Sequence, residues 1–144
     1  MAQPTCSTLK GSAQEAYWNT NQTLRRPAEW SVAHAPAANA AATITKAAGG
    51  AGVRHTATSL TASLAVTGLT STAVNVVLRD GAAGVGTVLW QAVLAVPAVV
   101  GSADRVVLAG VSIEGSADTP MTLEFTAAGG ANALETVALT GCSV

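Results

Sequence analysis

The stretch LRDGAAGVGTVLW, residues 78–90, sets two apolar runs on either side of a string of glycine, alanine and one aspartate. Two readings compete for the string DGAAGVG. A glycine loop that cradles a phosphate needs the spacing GxGxxG after a strand, followed by a helix whose N-terminus faces the anion. Only Gly84-Val85-Gly86 fits part of that spacing, and the following TVLWQAVLAV is β-branched where the helix would start. The stretch therefore predicts a hairpin, with small side chains that let its loop lie flat against a surface.

Working outward, the chain from Trp30 to its end reads as β-strand throughout. Short runs rich in Val, Thr, Ile and Leu alternate with Gly, Ala, Asn and Ser clusters. The runs are WSVAHAP, AATITK, VRHTATSLTASLAV (long enough to bend midway), AVNVVLRD, TVLWQAVLAV, DRVVLAGVSIE, MTLEFTA and ALETVALTG. In AVNVVLRD, Val74, Val76 and Leu78 share one face, with Asn75 and Arg79 opposite. MTLEFTA alternates the same way and predicts a wet face carrying Thr122, Glu124 and Thr126. TVLWQAVLAV is apolar on both faces and predicts a central strand covered on both sides, with Trp90 in the core. About eight strands with no helix between them predict an all-β, two-sheet sandwich of the jelly-roll kind.

Residues 1–29 are different and read as an N-terminal arm ahead of a sandwich domain at 30–144. SAQEAYW offers a turn or two of helix with Ser12 and Glu15 in capping-box spacing. Tyr17, Trp18, Arg25, Arg26 and Trp30 gather the residue types that anchor interfaces, and they are the candidate contact residues of the chain. For Trp30 and Trp18, closing one end of the core is the competing reading.

The net charge is −1 and only 10% of residues are charged, so the basic surplus of a nucleic-acid binder is missing. So weakly charged a surface favours a protein that is partly covered in an assembly. Charge is mildly segregated: from Gly101 onward Arg105 stands against Asp104, Glu114, Asp118, Glu124 and Glu135. The most apolar window, residues 85–100, is interrupted by Gly86, Gln91 and Pro97 and predicts no membrane span. The N-terminus lacks a signal-peptide pattern, which predicts synthesis in a reducing cytoplasm and two free thiols at Cys6 and Cys142. A terminal disulfide is the alternative.

Chemistry-bearing residues are sparse. Asp80, Asp104 and Asp118 read as turn residues. His34 and His55 read as strand residues, with a subunit contact as the functional alternative. No nucleophile elbow, metal-ligand spacing or paired-carboxylate motif stands out, so the expectation is a non-enzyme with no cofactor and no metal.

The segments LRDGAAGVGTVLWQAVLAVPA and VSIEGSADTPMTLEFTAAGGANALETVALTG resemble the jelly-roll cement, or decoration, proteins of short-tailed bacteriophage capsids. The resemblance extends over residues 30–144 and rests on the Gly/Ala turns and on phrases such as LRDG, VLW and MTLEF. It implies a structural virion protein made in the host bacterial cytoplasm. Such a protein sits on the outer surface of the capsid, cements neighbouring major capsid protein subunits and resists DNA pressure. It implies self-association as a homodimer or homotrimer, the dimer favoured, and no direct contact with nucleic acid or membrane. The alternative is a tail or fibre β-sandwich module that binds a receptor or carbohydrate.

Overall fold

The computed structural model describes residues 28–68 and 72–144. Eight strands follow one another: β1 (Ala28–His34), β2 (Thr43–Lys46), β3 (His55–Val66), β4 (Val74–Asp80), β5 (Thr87–Leu94), β6 (Ala103–Glu114), β7 (Met121–Phe125) and β8 (Ala133–Ser143). They form two four-stranded sheets, in the orders β1-β8-β3-β6 and β2-β7-β4-β5. Every pairing is antiparallel. The chain changes sheet at every connection except the β4–β5 hairpin. That winding is a jelly roll, as the sequence predicts.

Alternation along the strands fills the space between the sheets. Leu60, Leu64, Val137 and Leu139 come from one sheet; Val76, Leu78, Leu123 and Phe125 come from the other. All are fully or almost fully buried. β3 runs unbroken from His55 to Val66, and at residues 57–59 it shifts register with both neighbours. Opposite that shift β6 carries three residues, 110–112, against one of β3, a bulge that turns the edge strand. A second register shift on β5 lies between Val88 and Trp90. It lets the consecutive side chains of Leu89 and Trp90 both pack against the core.

The hairpin reading of residues 78–90 holds. β4 and β5 pair directly, and the loop between them, residues 81–86, folds onto the outer face of its own sheet. The Gly84 N–H donates to Glu124 Oε1 at 3.0 Å, Arg79 Nη1 donates to the Gly86 carbonyl at 3.0 Å, and Thr122 Oγ1 donates to the Gly81 carbonyl at 2.8 Å. Glycine is required at its two ends. A Cβ on Gly81, whose φ is +128°, would come within 2.7 Å of the Gly86 Cα.

That loop corrects one expectation. Thr122 and Glu124 do not line a wet face; all five residues of β7 are buried. β7 lies between β2 and β4, and the loop and the Arg79 guanidinium occupy the side where water was expected.

Four connections meet at one end of the sandwich, and Glu135 ties two of them together. It is 1% exposed, and its carboxylate accepts the Ala42 N–H at 2.9 Å and the Gly129 N–H at 2.7 Å. Desolvation raises its pKa above the ordinary carboxylate value, against the lowering pull of the two backbone N–H groups. A carboxyl whose folded pKa is raised stabilises the fold most at acid pH, below its unfolded value near 4.5. That contribution is lost as pH rises through the folded pKa. Glu135→Gln does not titrate, so the wild type should lose stability against the variant as pH rises from about 4 toward neutral, and the gap between them should change with it. Denaturant midpoints at the two pH values measure it, and a gap independent of pH would contradict the assignment.

Candidate interaction surface

Large exposed apolar side chains concentrate in one region of the described chain. Val85 stands at the β4–β5 loop, Val88 and Val93 on β5, Val99 and Val100 in the β5–β6 connection, and Val107 on β6. Leu134 on β8 is the remaining one. β5 and β6 are edge strands, one from each sheet, and lie beside one another along one side of the sandwich. Each is hydrogen-bonded to a neighbouring strand on one side only.

This placement corrects a second expectation. β5 is an edge strand, not a central one, and Val93 on its outer face is 68% exposed. The sequence pattern registers apolar character on both faces. It does not register whether the second face is covered by this chain or left for another.

Edge strands usually carry devices that block pairing with another chain, such as charge, proline or brevity. β6 has few of these. Its twelve residues carry Asp104 and Arg105 at the start and Glu114 at the end, with VVLAGVSI between. The bulge at 110–112 is its main irregularity, and residues 103–109 run in regular register with β3. Asp104 is turned to local work, its Oδ2 accepting the Ala95 N–H at 2.8 Å. β5 carries no charged residue.

The outer face of the β1-β8-β3-β6 sheet is a second open surface of different chemistry. Small side chains pave it: Ser31, Thr61, Ala138 and Ala109 among them. Cross-strand hydroxyl pairs link Ser59 to Thr140, and Ser63 to Thr136 at 2.6 Å. Arg105 is the charged residue toward its β6 side.

Of the residues singled out in the sequence, Tyr17, Trp18, Arg25 and Arg26 lie outside the described residues. Trp30 lies on β1, half-buried and packed against the core. Its ring rests over Gly141, the residue opposite it on β8, where a Cβ would meet ring carbon at 2.6 Å. His55 stands edge-on to it at 5.8 Å, the Lys46 ammonium lies 5.8 Å from its centroid, and its indole N–H is buried without a hydrogen-bond partner.

His55 is buried and engaged on both ring nitrogens. Nε2 is 2.7 Å from the Ala47 carbonyl and Nδ1 is 2.8 Å from Ser143 Oγ. A carbonyl only accepts, so Nε2 donates to Ala47, and Nδ1 pairs with the serine hydroxyl. The pair fastens the end of β8 to the β2–β3 connection, which rules out a subunit contact through this ring. His34 is exposed on β1 and accepts the Thr43 N–H through Nδ1 at 3.1 Å.

Of the aspartates read as turn residues, Asp118 lies in a turn and accepts the Gly52 N–H at 2.6 Å, whereas Asp80 ends β4 and Asp104 lies at the start of β6. Asp80 accepts from the backbone N–H of Ser116 and from its hydroxyl. A groove of about 450 Å³ beside β1 is lined by Trp30, Thr58, Thr140 and Cys142, with Glu29 as its charged group.

Cys142 is disulfide-bonded, which corrects the expectation of two free thiols. The sequence holds one other cysteine, Cys6, outside the described residues. The expectation came from the predicted compartment of synthesis, which does not by itself fix the pairing of cysteines.

Neither the protein-family models nor the curated proteins yield a match to this chain.

Proposed function

We propose that this protein is a structural component of a bacteriophage virion. In this reading it binds the outer surface of the capsid, cements neighbouring major capsid protein subunits and associates with itself, as a dimer in preference to a trimer. The observation that carries the reading is the surface. A jelly roll with 10% charged residues sets out exposed valines along an edge whose charges sit only near the two ends of β6, and a broad face of small hydroxyl and methyl groups beside it. Such a surface suits a protein that is covered in use. The disulfide at Cys142 supports residence outside a reducing cell, and virion surfaces are among the places where disulfides persist. Many copies on one particle would sum modest contacts into a large stabilisation through multivalent bridging.

The contact with the shell is assigned to Tyr17, Trp18, Arg25 and Arg26, from residue type. The test is co-sedimentation of the purified protein with phage heads that lack it. The protein should pellet with the heads, and the double variant Trp18→Ala, Arg25→Ala should pellet roughly tenfold less well while keeping its fold. Wild-type protein left in the supernatant would overturn the capsid reading in favour of the tail or fibre module.

A further inference from the structure

We infer that β6 is the self-association edge: it pairs antiparallel with β6 of a second copy about a two-fold axis near Val107, joining the two β1-β8-β3-β6 sheets into one. This deepens the self-association proposed above and rests on that part of the reading, not on the shell contact.

The first argument is chemical. β6 is bonded to β3 on one side, and its other side offers backbone N–H and C=O groups along a regular run of residues 103–109. Unmet strand edges take another strand by main-chain hydrogen bonding. Val107 is 54% exposed, and the residues after it to Ile113 are uncharged.

The second argument is charge and symmetry, which select a copy of the same chain. A two-fold axis perpendicular to the sheet pairs residues of like facing. Centred on Val107, it sets Val107 against its own copy and Arg105 against Ala109 of the other chain. The two Arg105 side chains are then four residues out of step, roughly 13 Å along the strand. A centre at Arg105 would bring them face to face, which disfavours that register. The bulge at 110–112 blocks registers centred further along.

The third argument is area. With the axis at Val107, residues 103–111 of the two copies overlap; at ~3.3 Å per residue, on a sandwich roughly 20 Å thick with its side chains, they make an edge of about 600 Å². Two such edges bury about 1,200 Å² in total, the lower end of a standard interface. Val99 and Val100, exposed in the β5–β6 connection, add apolar area at one end of the same edge.

The full-length chain tests the inference in two ways. Val107→Cys should give a covalent dimer on mild oxidation, because opposed residues of an antiparallel pair lie about 4.5–5.5 Å apart, within reach of a disulfide. Leu134→Cys, exposed on the central strand β8, should give none. In sedimentation equilibrium, Val107→Lys should weaken the wild-type dimer about tenfold or more, because two ammonium groups then meet at the axis. A dimer that Val107→Lys leaves intact, with crosslinking no better at residue 107 than at residue 134, would overturn the edge while self-association stands. A trimer would overturn the two-fold pairing. A wild-type chain that stays monomeric would overturn both, and co-sedimentation with heads would still decide the capsid reading by itself.

Discussion

Arg79→Ala is expected to lower the unfolding free energy by about 3 kcal/mol, a large effect for a residue outside the sandwich core. Arg79 and Glu124 form a salt bridge with 15% and 7% of their side chains exposed. The guanidinium also holds the Gly86 carbonyl, so one side chain fastens the hairpin loop to the sheet. Removing it leaves the Glu124 carboxylate on a covered face with the Gly84 N–H as its remaining donor. Breaking a buried pair by deleting one partner typically costs about 3–5 kcal/mol. The lower end applies because the pair is partly wet and the carboxylate keeps one bond. The double variant Arg79→Met, Glu124→Leu leaves no charge stranded and should be more stable than Arg79→Ala. Urea unfolding of the wild type and the variants measures this, and losses that simply add would contradict it.

Reduction of the disulfide is expected to remove about 2–4 kcal/mol. Cys142 is 1% exposed on β8, flanked by Glu29 of β1 and Thr56 of β3. The covalent bond therefore ends between two strands. Cys142→Ala should lose a similar amount and should then be insensitive to reductant, whereas the oxidised wild type should show no titratable thiol when unfolded. Equal unfolding midpoints with and without reductant in the wild type would contradict the prediction.

The strand pattern was legible because its causes are local. All eight runs named from β-branched residues and turn clusters correspond to strands, and residues 78–90 read correctly because β-branched Thr87 and Val88 follow the glycines where a helix would start. What the pattern missed was cover. Glu124 alternates as a solvent-facing residue and is buried, because a loop distant from β7 in sequence folds onto it. TVLWQAVL alternates as a doubly buried strand and lies at an edge, because periodicity reports apolarity and not what lies against it. Glu135 carries no local signal of its role, since its two donors come from Ala42 and Gly129, one of them on a separate connection. Of the candidate contact residues, Trp30 is the one within the described chain. Its partner Gly141 lies more than a hundred positions away in the sequence, and only the sheet register brings them together.

The central claim is that this jelly roll cements a phage shell, and the most direct measurement is a cryo-EM reconstruction of heads lacking the protein after they are incubated with it. The account predicts regular density on the outside of the shell, bridging neighbouring capsomers and fitted by the eight-stranded sandwich. Bare shells at saturating protein would contradict it.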